Sequence, residues 1–430
     1  MINKILYGPQ TKAAIENFPF DYHTVLLEFV YAIVEVKKAT ARANLKAGKV
    51  TKKISEKMAS ACDQILAGKY DDQFPVCAHH GGAGTSVNMC VNEVIGTLAG
   101  AHPNDDVNSS QSTNDVNPSA LKIASIRLTE KLLKSLLYLI KVFDEKSIEY
   151  KDVKKLARTH IQDALPTTLG AEFGSYRDIL KRDKKRIEDA LSYFYELNMG
   201  GTAIGNKINA PEIYITEFYK EIRKVTGISK LVPADNMMSQ TSSDSDFCFL
   251  STAVNILCLD ISKMSIDLRF MASGPKGGIG EIFFKELQPG SSIMPGKVNP
   301  VIAETMNQTY YIVSGKNLSI HQAAEGAHLE LGIMLPVIAD SLITILKLVD
   351  TALVLFADRG IKNIVVNRKR CLEHLEKSTA YSTLLTPRLG YDAVSKIVKE
   401  SIKTGRTMRE IILEKKILSR EELEKLLVLK

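Results

Sequence analysis

Between Pro118 and Pro166 the chain contains neither glycine nor proline, and this stretch narrows the folding options more than any other. It keeps every backbone donor and avoids the residues that most weaken a helix. Within it Leu121, Ala124, Leu128, Leu132, Leu136, Ile140 and Phe143 recur at steps of three or four, the period of a helix with one apolar face. At 1.5 Å per residue a helix of about forty residues is roughly 60 Å long. That exceeds a small domain, so the helix needs partners along its length. The chain supplies them in further helical stretches from about Ser175 to Asn198, Asp244 to Ala272, just after Pro300 to about Ala324, and Val337 to Asp358. Five long helices with apolar faces predict an all-α bundle.

Two of these helices are more apolar than one bundle face requires. Ala253, Val254, Ile256, Leu257, Leu259, Ile261 and Met264 cover more than half of one circumference. Ile343, Leu346, Leu348, Val349, Leu353, Val354 and Leu355 do the same on another. Excess apolar surface of this kind predicts an oligomer. The 430 residues exceed one compact domain, and the breaks in pattern suggest three: 1–107, a helical start; 108–358, the long-helix bundle; and 359–430, a small helical end rich in Lys and Glu. No run approaches eighteen apolar residues, which argues against a membrane span. The first eight residues are too short and too soon interrupted for a secretory signal, so a cytoplasmic location is expected. A net charge of +7 is spread among glutamates without a basic block, which argues against nucleic-acid binding. The six cysteines have no zinc-site spacing and are expected to be reduced core residues.

Four polar clusters lie at the ends of the long helices or between them. The most distinctive is Gly290-Ser291-Ser292-Ile293-Met294-Pro295-Gly296-Lys297-Val298-Asn299-Pro300. Its glycines and prolines argue for an ordered loop. Exposed backbone N–H groups beside one lysine suit an anion, and the serines can donate hydrogen bonds or act as nucleophile or base; an ordinary interhelical turn is the plain alternative. The others are the turn at Gly84-Thr85-Ser86, the run Gln111-Ser112-Thr113-Asn114-Asp115, and Arg158-Thr159-His160-Ile161-Gln162-Asp163. Hydroxyls and amides beside helix termini suit carboxylates or phosphates. Taken singly, the second reads better as a plain cap for the long helix than as a site, and the third is open to the reading of a satisfied half-buried His160 with Arg158 and Asp163 as a surface ion pair.

Taken together, the four clusters resemble, in the same order, the characteristic regions of the fumarase/aspartase superfamily. The resemblance runs from Tyr7-Gly8 through Asn198 to Gly205 and on to Ser378–Tyr391. It implies a three-domain helical fold whose five-helix bundles form a twenty-helix core in a homotetramer, with each active site drawn from three subunits. The segments Gly81–Met89 and Gln111–Asp115 resemble the ammonia-lyase branch, whereas Gly296 and His160 are equally at home in the fumarate hydratases. The resemblance therefore implies release of ammonia from aspartate to give fumarate, with hydration of fumarate as the alternative and an inactive helical scaffold as a further one. It calls for no cofactor and leaves open activation by a divalent cation.

By the same resemblance, Ser291 is the base that removes a proton from the carbon beside one carboxylate. Thr85, Ser112, Thr113 and Ser292 surround the aci-carboxylate so formed. Lys297, Asn299 and Thr159 hold the second carboxylate. Asn114 and His160, again with Thr159, face the departing amine, and Glu304 pairs with His160. The chain departs from the family pattern at Ala13, where an arginine is usual, at Cys90 and Gly332, where asparagines are usual, and at Asn206-Lys207, where small residues are usual.

Overall fold

The structure, a computed structural model, describes residues 5–427. It is built almost wholly of helices, with three two-stranded sheets among the described residues. The five long helices are Thr113–Glu149, Leu169–Leu191, Ser245–Met271, Val301–Glu325 and Leu335–Leu355, so the all-α expectation holds. The first is 37 residues long. Pro118 lies inside its start, where its ring nitrogen cannot donate to the Asn114 carbonyl one turn earlier. Asn198 Nδ2 donates to that carbonyl instead, at 3.0 Å. The second helix begins at Leu169, earlier than its sequence pattern suggests, because Gly170 sits against the turn that follows the first helix. A Cβ there would come within 2.6 Å of Lys151 Cα.

By its contacts the chain divides into two units: Met1–Lys134 with Asp183–Cys258 and Thr309–Thr351, and Ser135–Arg182 with Leu259–Gln308 and Ala352–Lys430. In the first unit, helix Leu27–Lys46 packs against helices Lys52–Leu66 and Glu212–Thr226 and buries Phe29, Val30, Ile33 and Val34. Each such side chain stabilises the fold by about 1.5–3 kcal/mol. Glu93, on helix Thr85–Ala99, accepts from the backbone N–H groups of Gly8 at 2.8 Å, Gln10 at 2.9 Å and Thr11 at 3.1 Å. A carboxylate at the donor-rich start of helix Pro9–Asn17 is favoured both by these bonds and by the helix dipole.

In the second unit an antiparallel hairpin, Lys154–Thr159 with Gln162–Thr168, interrupts the helices and carries a bulge between Leu156 and Arg158. It packs against helix Arg368–Lys377. Leu156 of the hairpin joins an apolar cluster that includes Leu375, Tyr381, Leu385, Ile397, Ile411 and Leu423.

Helix Ser245–Met271 is long and apolar enough by length and composition to cross a membrane, which the sequence reading did not expect; 56% of its most apolar window is buried within the protein, as in a core helix. Ala253, Val254, Leu257, Ile261 and Met264 account for much of that burial, while Leu259 remains 44% exposed. On helix Val301–Glu325, Tyr311, Ile312 and Leu318 are also exposed.

Candidate active site

In the first unit the chain enters helix Thr85–Ala99 through a turn that only small residues allow. Gly82, Ala83 and Gly84 all have positive φ, at 73°, 54° and 86°. Asn117 Nδ2 donates to the Gly84 carbonyl at 2.9 Å, and a Cβ on Gly84 would collide with that amide. The turn brings Thr85 to a cleft of about 560 Å³ that Asn114, His79, His80, Leu331 and Met334 also line. Thr85 Oγ1 donates to the Gly82 carbonyl at 2.8 Å. His80 Nδ1 lies 2.7 Å from the Cys77 carbonyl, so the ring proton sits there and Nε2 is left as an acceptor. Burial pushes the His80 pKa down, which keeps the ring neutral, and Nε2 has no partner among the described residues.

The run Ser112-Thr113-Asn114 opens the longest helix. Ser112 Oγ accepts from Asn114 N at 3.2 Å, so the helix-cap reading is borne out for this residue. Thr113 Oγ1 accepts from Asn88 Nδ2 at 3.2 Å. Asp115 is fully buried and takes backbone N–H groups from three residues: Ser112 at 2.9 Å, Gly200 at 3.1 Å and Thr202 at 3.0 Å. Burial pushes its pKa up to about 7 against these donors and the charge of Lys37. Burial pushes Lys37 down to about 7, although its Nζ donates to Asn108 Oδ1 at 2.9 Å and Gln111 Oε1 at 3.0 Å.

In the second unit Thr159 ends the first strand of the hairpin, and His160 and Ile161 form its turn with φ of 55° and 61°. Both turn residues are exposed. The hairpin is anchored by charge. Glu281 is fully buried; its Oε1 lies 2.9 Å from Arg158 Nη2 and 2.9 Å from His374 Nδ1, and its Oε2 lies 3.4 Å from Lys155 Nζ. Burial pushes the Glu281 carboxyl up, but Arg158, Lys155 and His374 together hold it below its ordinary value. Lys155 also meets both oxygens of Glu172, at 2.7 and 2.8 Å.

The segment Gly290–Pro300 carries no helix or strand, as its composition implies. Ser291 Oγ accepts from the backbone N–H groups of Ile293 at 3.2 Å and Met294 at 3.0 Å. Asn299 Nδ2 closes the loop on the Gly290 carbonyl at 2.8 Å, and a Cβ on Gly290 would run into the Lys297 carbonyl. Ser292 and Lys297 are exposed, and Ile293 at the tip is 83% exposed. Glu304 lies in the first turn of helix Val301–Glu325. No hydrogen bond or ion pair joins it to His160 among the described residues.

Thr85, Ser112, Thr113 and Asn114 thus belong to the first unit, and Thr159, His160, Ser291, Ser292, Lys297, Asn299 and Glu304 to the second. Three contributors gave little sequence signal. Asp115 stood in a recognised run but without a task, Glu281 stood outside every motif, and His80 read as part of a glycine turn. Of the departures from the family pattern, Gly332 has a structural reason: a Cβ there would collide with the carboxyl of Asp244. Cys90 is buried with its thiol toward the Gln73 carbonyl at 3.5 Å, and Ala13 is exposed.

A family profile described as lyase matches residues 3–315, and one described as fumarase C C-terminus matches residues 382–430. An aspartate ammonia-lyase of Bacillus subtilis is 41% identical over 432 residues, covering 98% of this chain and 91% of that protein. A fumarate lyase:delta crystallin of Brucella melitensis, solved bound to cobalt, superposes with a TM-score of 0.95 at 37% identity over 99% of this chain and 95% of that one. A class II fumarase of Schistosoma mansoni superposes with a TM-score of 0.94 at 31% identity over 100% of this chain and 95% of that one. With its four polar clusters, its long-helix fold and these relatives all in agreement, the chain belongs to the fumarase/aspartase family of lyases.

Proposed function

We propose that this protein is an aspartate ammonia-lyase that converts L-aspartate to fumarate and ammonia. The observation that carries the mechanism is the pair of backbone N–H groups aimed at Ser291 Oγ. A serine hydroxyl is a poor base at neutral pH, and hydrogen bonds donated to its oxygen favour the anionic form. Ser291 takes the proton from the carbon beside the carboxylate remote from the amine. The electron pair left behind moves into that carboxylate and gives a doubly charged aci-carboxylate. Thr85, Ser112, Thr113 and Ser292 meet this charge with neutral donors. Lys297, Asn299 and Thr159 hold the other carboxylate. When the intermediate collapses, the carbon–nitrogen bond breaks and the amine leaves past Asn114, His160 and Thr159. Glu304 fixes the tautomer of the His160 ring and raises its basicity.

The identity to aspartate ammonia-lyases supports the choice of amine over hydroxyl. The site is completed in a homotetramer, each site drawing residues from three subunits. The exposed Leu259, Tyr311, Ile312 and Leu318, together with the unmade pairing of His160 with Glu304 within one chain, support this assembly. Ultraviolet absorbance of fumarate tests the reading. It is expected to rise when purified protein meets aspartate. A signal with malate and none with aspartate would make the protein a fumarate hydratase.

A further inference from the structure

We infer that Asp115 is a positioning residue: it holds the side-chain amide of Asn114, which the ammonia-lyase reading places beside the amine, with its oxygen free to accept a hydrogen bond there. Asn114 Nδ2 donates to the Ala203 carbonyl at 2.8 Å. A carbonyl only accepts, so this contact decides which end of the amide is the nitrogen. Oδ1 is the remaining end. It makes no hydrogen bond among the described residues, and Asn114 lines the cleft beside Thr85. An oxygen acceptor suits the N–H groups of an ammonium and is repelled by a carboxylate.

The Ala203 carbonyl does not hold its place alone. It belongs to a segment in which Gly200 takes a φ of 90° that glycine allows, while Thr202, a β-branched residue, is held at an unfavourable φ of 58°. Such conformations persist only where neighbours hold them. Asp115 is that neighbour: one carboxylate oxygen takes the N–H groups of both Gly200 and Thr202, and the other takes that of Ser112. The same carboxylate therefore ties the segment that orients the amide to the run that carries Asn114. From the far side, Ile215 presses on Gly200, where a Cβ would approach Ile215 Cγ1 to 2.7 Å. The backbone of Asn114 is also held, through its carbonyl, by Asn198.

The inference rests on the ammonia-lyase reading, and the amination direction tests it. In Asp115→Asn the side chain keeps one oxygen but must turn an NH2 group toward Ser112 or toward the two N–H donors of the loop. Loss of a charge-assisted hydrogen bond predicts a KM for ammonia raised roughly ten- to a hundredfold, with a clearly smaller rise in the KM for fumarate, because the variant also loosens Ser112. A merely structural role would weaken both substrates together. Gly200→Ala disturbs the same segment from the Ile215 side without touching Asp115, and the same ammonia-selective loss is expected. An unchanged KM for ammonia in either variant, or equal losses for both substrates, would overturn the assignment. Should wild-type protein hydrate fumarate but not aminate it, the functional reading fails by itself. Amide hydrogen exchange at Thr202 and Ala203 then still decides the clamp: faster exchange in a variant supports it, and exchange equal to wild type refutes it.

Discussion

Replacing Glu281 with glutamine tests whether buried charge, rather than strand pairing, holds the hairpin that presents Thr159 and His160. Glutamine keeps the shape and one oxygen, so the contacts of Oε1 with Arg158 and His374 at 2.9 Å survive as neutral-acceptor bonds. The other end becomes an NH2 facing Lys155 Nζ, which is 3.4 Å from Oε2 in the native protein. A donor then faces a buried cation. Breaking a buried ion pair from one side costs about 3–5 kcal/mol. Lys155 retains both contacts with Glu172, which places the expected loss near the lower end, about 3 kcal/mol. The Glu281 carboxyl is held below its ordinary value in the folded chain, so its contribution is complete above the unfolded value of about 4.3 and is lost as pH falls through the folded value. Urea unfolding of wild type and Glu281→Gln at equal protein concentration should therefore show the full gap at pH 7 and a shrinking one below about pH 4. Equal midpoints at pH 7, or a gap that grows on acidification, would refute the account.

Ser291→Ala should lower turnover at least about a thousandfold while the variant still binds fumarate, as measured by calorimetry; a near-native rate would remove Ser291 from the role of base. Dilution until light scattering shows only monomer should abolish activity, and an active monomer would contradict shared sites. Gly332→Ala, which drives a Cβ into the Asp244 carboxyl, should cost about 1–3 kcal/mol in the same unfolding assay. Adding Asp244→Ala should recover most of that loss, whereas an undiminished deficit in the double variant would show that the two side chains do not compete for this space.

The long helices were legible because their evidence is local. A stretch without glycine or proline, with apolar residues every three or four positions, has few alternatives to a helix, and Ser245–Met271 and Val301–Glu325 formed nearly where that pattern put them. The hairpin was not legible. Lys154–Thr159 follows the longest helix within the same glycine- and proline-free stretch, and three of its six residues are basic. What makes it a strand is distant: Glu281, Glu172 and helix Arg368–Lys377 neutralise and cover it. Likewise, the early start of helix Leu169–Leu191 depends on a close approach to Lys151 that no propensity encodes.

The site divides in the same way. By itself the sequence determined which chemistry is present, because hydroxyls, amides, a lysine and a histidine occur in short runs whose spacing is covalent. Only the tertiary structure decided how those groups are turned. The amide of Asn114 is oriented by Ala203, which is held by Asp115 through N–H groups up to 87 residues away. Ser291 Oγ became an acceptor only when the loop folded back on it. Side-chain identity is written residue by residue, whereas the direction of a hydrogen bond and the burial of a charge belong to pairs that meet only once the chain is folded.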